Sequence, residues 1–574
     1  MQKQGSSAQR PWPEIKLQKD RENMSKDCPH QILKIGDFQN FVDARLKSWE
    51  EMGFNRRLWE KDPTLWFSGP VLGVADRLGW LALPESMQEQ IETIVSFANE
   101  VKNEGVQHIV LLGMGGSSLA AGVFQSIFGS GPGYPELIVL DSTHPDAVRA
   151  VETKIDLRRS LFIVASKSGT TPEPLAFFKY FWKKMEETVD VPGRHFIAIT
   201  DPGTSLVQLA EEKGFRQIFL APPDLGGRYS ALTVFGLVPA ALIGVDIHRL
   251  LGRAHDAAKG GGASEQEVPG LALGAALGEL AIRGKNKVTF MAPPSLKRFQ
   301  EWLEQLIAES TGKDGKGIVP VVNEPLAGPD AYGKDRFFVY FNVADERSEK
   351  IKNRVMELEA AGHPVVHINL NDKYDIGFEI FKWEIATASA GSILGIHPFN
   401  QPDVESSKEL ARRAMTGEVR TEITEAVSVK DPDELANALN DWLELAKEGG
   451  YIVIQSYLQP TEETTKLLQK IRKELLNRMG LATTVGYGPR FLHSTGQLHK
   501  GGPVSGLFLQ IIDTPAEDLP VPGADYTFGE IIGAQAIGDY LALKKRGRSV
   551  LRVDLKKDVA RGLSEASRLL SAKQ

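Results

Sequence analysis

The feature that most constrains the fold of this chain is a series of short apolar runs that starts at residue 106. Five runs of strand length are separated by segments with a helical spacing of apolar residues: VQHIVLL, ELIVLD, SLFIVAS, HFIAIT and RQIFLAP. Strands that are apolar throughout and that alternate with helices are typical of a parallel sheet covered on both faces. The pattern predicts an α/β domain over residues 104–258.

The flanking segments predict further units, because 574 residues exceed the size of one hydrophobic core. Residues 1–103 combine a polar tail with a helical region, in which FVDARLKSWEEM and ESMQEQIETIVSFANEV carry apolar residues at three- and four-residue steps. The glycine-rich stretch KGGGASEQEVPG begins at Lys259 and is typical of a linker. Runs such as KVTFMA and PVVHINL then predict a second α/β domain over residues 259–415.

Residues 416–574 resemble a partial repeat of the second domain. YIVIQSYL parallels KVTFMAPP, SGLFLQIID parallels FFVYFNVAD, and YTFGEIIGAQAIGDYLAL parallels YDIGFEIFKWEIATASAG. The sequence therefore predicts an α/β protein of three-layer αβα units with parallel sheets, preceded by a helical region.

The composition argues against several classes of binding partner. A net charge of −7 argues against a nucleic-acid-binding surface. No run approaches the roughly 18 apolar residues of a membrane span, and the N-terminus lacks the apolar core of a signal peptide. Because the chain has one cysteine and no H-E-x-x-H pattern, we expect a cytoplasmic protein without a metal site, a nucleic-acid partner or a membrane partner.

The stretch VLLGMGGSSLAAGVF predicts a strand, a glycine turn and a helix, in which Gly113, Gly115 and Gly116 allow backbone N–H groups to surround an anion. The glycine spacing is not a full G-x-G-x-x-G. Asp141 nevertheless ends the next strand, where a ribose-binding acid would lie, so an NAD-dependent enzyme is one alternative.

A second loop, VASKSGTTPEP, leaves an apolar strand through small hydroxyl residues. Ser166, Ser168, Thr170 and Thr171 offer donors at the carboxyl end of that strand, together with Lys167, and such a set suits a phosphate dianion. A serine-rich turn that caps the following helix would explain the same residues.

Together the two loops resemble the sugar isomerase (SIS) domain, a five-stranded parallel sheet found in aldose–ketose isomerases and in sugar-phosphate sensors. DLGGRYSALTVFGL, WLEQLIAESTGKDGKGIVP and HPFNQPDVESSK resemble signatures of the glucose-6-phosphate isomerase family, and FLHSTGQ is similar to its LHSxGQ segment. The helical region also resembles the isomerase half of bacterial transaldolase–glucose-6-phosphate isomerase fusions. The resemblance implies cofactor-free interconversion of glucose 6-phosphate and fructose 6-phosphate through an enediol, in glycolysis and gluconeogenesis.

The resemblance also implies roles for particular residues. Glu309 would be the base, Arg228 would stabilise the enediolate, Gln401 and Lys408 would lie near the ring oxygen and the sugar hydroxyls, and His493 would open the ring. The substrate-binding set would be Gly116, Ser117, Ser166, Lys167, Ser168, Thr170, Thr171, Gly227, Gln305 and Gln401.

The position of His493 departs from the family order, in which the histidine segment lies between the glutamate and glutamine segments and reaches the site from a neighbouring subunit. Here it follows both segments, inside the repeat. We hypothesise that the repeat supplies in cis what a partner supplies elsewhere, so the chain would be a monomer with an internal pseudo-duplication or a homodimer. His397, His363 and His367 are the competing histidines.

Two other functions fit parts of the pattern. A sugar-phosphate sensor would keep the hydroxyl loop without the chemistry, and a related isomerase would also accept mannose 6-phosphate. The joint presence of Glu309, Arg228, Gln401 and Lys408 favours an enzyme over a sensor.

Overall fold

The computed structural model describes residues 30–67, 69, 73–259, 268–415 and 426–571. The strands are β1 Gln31–Lys34, β2 His108–Gly113, β3 Glu136–Leu140, β4 Ser160–Ala165, β5 Phe196–Thr200, β6 Gln217–Leu220, β7 Lys287–Met291, β8 Val319–Val321, β9 Arg336–Val343, β10 Val365–Leu370, β11 Val427–Ser428, β12 Tyr451–Tyr457, β13 Ala482–Tyr487, β14 Gly506–Ile512 and β15 Ser549–Asp554.

The α-helices are α1 Gln39–Met52, α2 Phe54–Trp59, α3 Leu83–Ser86, α4 Ile91–Asn103, α5 Leu119–Phe128, α6 Pro145–Lys154, α7 Pro172–Glu186, α8 Ser205–Glu212, α9 Val234–Leu242, α10 Ile247–Lys259, α11 Pro269–Ile282, α12 Lys297–Thr311, α13 Glu349–Ala360, α14 Asp375–Leu394, α15 Glu405–Met415, α16 Pro432–Glu444, α17 Glu462–Met479, α18 Gly496–Gly501, α19 Phe528–Lys545 and α20 Val559–Ser571.

The first sheet is parallel throughout and has the strand order β3-β2-β4-β5-β6. Its strands coincide with the five apolar runs, so the predicted α/β class is confirmed. Within the sheet, β3 lies next to β2 on one side, and β4, β5 and β6 follow on the other side of β2. The loops after β2 and β4 therefore flank the switch point, where open parallel sheets bind ligands.

The second and third sheets repeat one topology. Their orders are β1-β10-β9-β7-β8 and β11-β15-β14-β12-β13, so four strands correspond one to one. The predicted correspondence of the two long helices is wrong, because α14 follows the fourth of these strands whereas α19 follows the third. By topology α19 corresponds to α13, and α14 corresponds to α20. The repeat thus has support, and the domain boundaries stay predictions.

The N-terminal helical region also contributes a strand that the sequence did not predict. β1 pairs antiparallel with β10, with Gln31 opposite Ile368 and Lys34 opposite Val365. Val42 and Trp49 of α1 and Ile94 of α4 belong to the same apolar core as the first and second sheets. The described residues between 30 and 103 are therefore built into the fold.

Contacts between the first and third units set the position of the candidate site. Phe528 of α19 stacks on Phe177 of α7 with ring centroids 5.9 Å apart. Arg149 donates to the carbonyl of Glu517 at 2.8 Å. These contacts place the segment after β14 and the beginning of α19 against α6 and α7 of the first unit. Within the described part of the chain, no helix is both long and apolar enough to span a membrane.

Candidate active site

Three glycine-rich or histidine-bearing segments converge after β2. A Cβ on Gly116 would lie 2.1 Å from the Gly227 carbonyl oxygen, so only glycine permits the two backbones to approach this closely. Gly115 has φ +53°, and a Cβ there would lie 2.6 Å from the carbonyl oxygen of His493. The first sheet, the loop before α9 and the third unit therefore meet at one point.

Arg228 is fixed at this point and is 1% exposed. Its Nε donates to Ser310 Oγ at 2.8 Å and its Nη1 donates to Gln401 Oε1 at 3.0 Å. Its Nη2 donates to the carbonyl oxygens of Pro398 at 2.7 Å and Asn400 at 3.1 Å. The guanidinium is thus held by α12 and by the loop that joins α14 to α15.

Glu309 lies beside this guanidinium near the end of α12. Its Oε1 is 3.1 Å from Arg228 Nη1, and its Oε2 accepts from Gln305 Nε2 at 3.1 Å. Gln305 Nε2 also donates to the carbonyl of His493 at 2.7 Å. Glutamine and glutamate four residues apart share one helix face, which explains why both reach the site. The carboxylate is 7% exposed and is held from two sides.

Buried Lys313 closes the end of this helix. Its Nζ donates to the carbonyls of Glu309 at 2.9 Å and Ser310 at 2.8 Å. Burial, together with the positive charge of Arg228, holds the pKa of Lys313 well below its ordinary value. The lysine thus satisfies carbonyls that a helix end leaves without partners.

His493 makes a side-chain contact that the sequence did not predict. Its Nε2 is 2.9 Å from Glu173 Oε1, and the same oxygen accepts from Gln535 Nε2 at 2.6 Å. Burial alone would raise the pKa of Glu173, but the histidine and the donated hydrogen bonds hold it below its ordinary value. The one signal in the sequence was an acid between two prolines in TTPEP, directly after the hydroxyl loop.

The hydroxyl loop separates into an inner pair, buried Ser166 and half-buried Thr171, and an exposed pair. Ser166 Oγ lies 2.9 Å from Thr171 Oγ1, and the two exposed residues, Ser168 and Thr170, have their hydroxyl oxygens 3.1 Å apart. Lys167 already has two partners: its Nζ donates to Asp201 Oδ2 at 2.5 Å and to the Pro222 carbonyl oxygen at 3.2 Å. The exposed hydroxyls lie at the beginning of α7, where the helix dipole favours an anion.

Comparisons with known proteins identify the family of this chain. Residues 81–334 match the family model described as phosphoglucose isomerase. A glucose-6-phosphate isomerase of Staphylococcus epidermidis is 30% identical over 383 residues, which cover 58% of this chain and 86% of the relative. The chain belongs to the phosphoglucose isomerase family. The same enzyme of Staphylococcus haemolyticus is 29% identical over 386 residues, with the same shares of each chain covered.

Solved structures show the same family fold. A hypothetical protein of Thermus thermophilus superposes with a TM-score of 0.59 at 25% identity, covering 67% of this chain and 100% of that one. A glucose-6-phosphate isomerase of Chlamydia trachomatis gives a TM-score of 0.54 at 17% identity, covering 68% and 94%. The likeness to transaldolase fusions is not tested by these relatives and stays a prediction.

Three further candidate residues of this phosphoglucose isomerase family member lie in the turn after β2, in α15 and in the loop that holds Arg228. Ser117 lies in the turn after β2, half-buried beside Gly116. Lys408 belongs to α15, but its side chain lies outside the described residues. His397 Nδ1 accepts the backbone N–H of Phe399 at 3.1 Å in the loop that holds Arg228.

The other histidines and Asp141 have partners away from these contacts. His367 Nε2 is 2.5 Å from Glu359 Oε1, and the ring of His363 packs edge-on against Phe338. Asp141 Oδ2 is 3.7 Å from Arg490 Nη1. Among the described residues, no group of three or more histidine, cysteine or acidic side chains could hold a metal ion.

Proposed function

We propose that this chain interconverts glucose 6-phosphate and fructose 6-phosphate by moving a proton between C1 and C2. The observation that carries the proposal is the Glu309 carboxylate, nearly buried and 3.1 Å from Arg228 Nη1. A carboxylate and a cation at hydrogen-bonding distance are the pair that enediol chemistry needs.

Glu309 takes the proton from one carbon and returns it to the other. Arg228 stabilises the negative charge that develops on the enediolate oxygen. Because Ser310, Gln401 and two carbonyls already fix the guanidinium, little reorganisation accompanies the reaction. Gln305 orients the carboxylate and, through the His493 carbonyl, joins it to the third unit.

His493 is the proposed acid–base group for ring opening. Glu173 orients the imidazole, as a carboxylate does for histidine in other acid–base sites. Gln401 and Lys408 are proposed to contact the ring oxygen and the sugar hydroxyls. The phosphate would bind Ser168, Thr170 and the backbone of Gly116 and Ser117, and its binding energy would position C1 and C2 against Glu309.

We also propose that one copy of the chain contains a complete site. Glu309 and His493 are joined through Gln305 within a single chain. Turnover per site should therefore stay constant on dilution, which enzyme assays combined with light scattering would measure. Loss of activity as a dimer dissociates would contradict the proposal. A cytoplasmic location fits the single cysteine.

The decisive test is the conversion of fructose 6-phosphate coupled to a dehydrogenase. Glu309→Gln should lower kcat by about 10²-fold or more, as for other general bases. Glu212→Gln, an exposed acid at the end of α8, is the matched control and should leave kcat unchanged. An inactive wild type that still binds the sugar phosphate would favour the sensor function.

A further inference from the structure

A second cleft lies on the face of the second sheet that α13 covers. Its volume is about 400 Å³, and it is lined by β9, β10, Lys34 of β1, the residues before α13 and one side of α13 from Glu349 to Glu359. Arg228, Glu309 and His493 are not among its lining residues. The cleft includes the carboxyl ends of two parallel strands, a position at which α/β sheets commonly bind ligands.

The floor of the cleft is polar, although a sheet face under a helix is ordinarily apolar. Tyr340 and Asn342 alternate along β9, and His367 and Asn369 occupy the adjacent positions on β10. Asn342 Nδ2 donates to Asn369 Oδ1 at 3.0 Å, and His367 Nε2 contacts Glu359 at 2.5 Å. In place of apolar contacts with α13, these side chains provide hydrogen-bond donors and acceptors along the floor of the cleft.

Tyr340 provides a hydroxyl donor that is open to the cleft and has no hydrogen-bond partner among the described residues. Its side chain is 7% exposed, and its hydroxyl makes no hydrogen bond to any residue that the structure describes. Burial raises the pKa of this phenol, and the charges of Glu349 and Arg347 also act on it. The hydroxyl therefore lies near the charged groups at the beginning of α13.

The charges at this end of the cleft favour an anion. Arg347 forms no ion pair within the described ranges, and Lys352 Nζ is 3.9 Å from Glu349 Oε1. Lys34 is already paired with Glu359 at 2.9 Å. The 12-residue helix α13 adds its positive N-terminal dipole at the same place.

We propose that this cleft binds the phosphate monoester of a small hydroxylated carbon chain, at a site separate from the isomerase site. The phosphate would lie against Arg347 and the first turn of α13, because a guanidinium matches phosphate oxygens with two parallel donors. The hydroxyls would contact Tyr340 and Asn342. Glu349 borders the phosphate position and would disfavour a more highly charged ligand.

Hydrogen–deuterium exchange of the full chain with glycerol 3-phosphate separates the two sites. We expect protection of residues 336–360 in addition to any protection of the hydroxyl loop at residues 166–171. Arg347→Ala and Tyr340→Phe should each raise the concentration needed to protect residues 336–360 by about tenfold, as expected for lost hydrogen bonds to a charged group. Protection of residues 166–171 should not change.

A control variant and two control ligands test whether a phosphate monoester binds in the cleft. Lys350→Ala changes an exposed lysine of the same helix that does not line the cleft, so it should behave like the wild type. Protection confined to residues 166–171, or protection of 336–360 that both variants retain, would overturn the proposal. An equal effect from inorganic phosphate or from glycerol would reject the phosphate-monoester assignment. Isomerase activity should be unchanged in every variant.

Discussion

His493 Nε2 lies 2.9 Å from Glu173 Oε1, although 320 residues separate the two in the chain. Glu173 lies in the first turn of α7 in the first unit. His493 follows β13 in the third unit. Because Glu173 is 2% exposed, water contributes little to its solvation. The third unit is therefore held to the first by a histidine–carboxylate contact within the proposed catalytic site.

His493→Ala should lower the free energy of unfolding by about 1–3 kcal/mol, since it leaves the Glu173 carboxylate buried with one donor fewer. Urea denaturation of the variant measures this loss. Adding Glu173→Gln removes the stranded charge and should restore part of the stability. A double variant no more stable than His493→Ala would show that the remaining carboxylate does not cause the loss, and a His493→Ala variant as stable as the wild type would show that the contact contributes nothing.

Gly115→Ala should lower kcat/KM by about tenfold or more, because the new Cβ would press on the His493 carbonyl and disturb the proposed ring-opening group. Gly214→Ala is the matched control, with φ +63° and no atom within 4 Å of the added Cβ. Both changes cost about 1 kcal/mol of backbone strain. Equal activity in the two variants would refute the close approach.

Glu304→Gln should stabilise the protein at alkaline pH. Burial, reinforced by Glu301, raises the pKa of Glu304 to about 8. The stabilising effect of the protonated carboxyl is complete below its unfolded pKa and is lost as the pH rises through 8. The variant should thus match the wild type near pH 4 and be more stable above about pH 8, by on the order of a few kcal/mol.

Urea midpoints at the two pH values test this expectation. Glu212→Gln, on an exposed position, should show no such gap between the pH values. A Glu304→Gln variant that gains nothing at alkaline pH would mean that the carboxyl ionises without cost in the folded protein.

Arg228→Lys should lower kcat/KM by about 10²-fold, because an ammonium cannot reproduce the fork that reaches Ser310, Gln401 and Glu309 together. Steady-state kinetics measure the loss. Arg158→Lys, an exposed position in the first unit, should be silent. Full activity in Arg228→Lys would remove the arginine from the proposed chemistry.

The apolar runs predicted the strands of the first sheet because both faces of that sheet are covered, so no polar residue interrupts them. The same rule failed for β13 and β15, whose sequences ATTVGY and SVLRVD mix polar and apolar residues. It also failed for β1, a four-residue strand with alternating burial. Local pattern did not reveal that β1 pairs with a strand more than 330 residues away.

The candidate site was predictable where a motif is contiguous, as for the Gly226–Arg228 turn and the α12 helix. Glu173 was missed because its partner lies on another unit, and no local spacing predicts a contact across units. Lys167 was predicted to bind the phosphate because it lies in the hydroxyl loop. In the fold its ammonium group is paired with Asp201, which the sequence did not indicate. The cis location of His493 depended on recognising that a repeat had changed the order of the motifs.

The joining of Glu309 and His493 through Gln305 in one chain has a genetic consequence. If these groups came from different subunits, two defective alleles could rescue each other by forming a mixed assembly with one intact site. With the complete site that we propose in one polypeptide, Glu309→Gln and His493→Ala chains produced in the same cell would have no intact site to share. Each damaged copy of the gene then remains a loss that a differently damaged copy cannot repair.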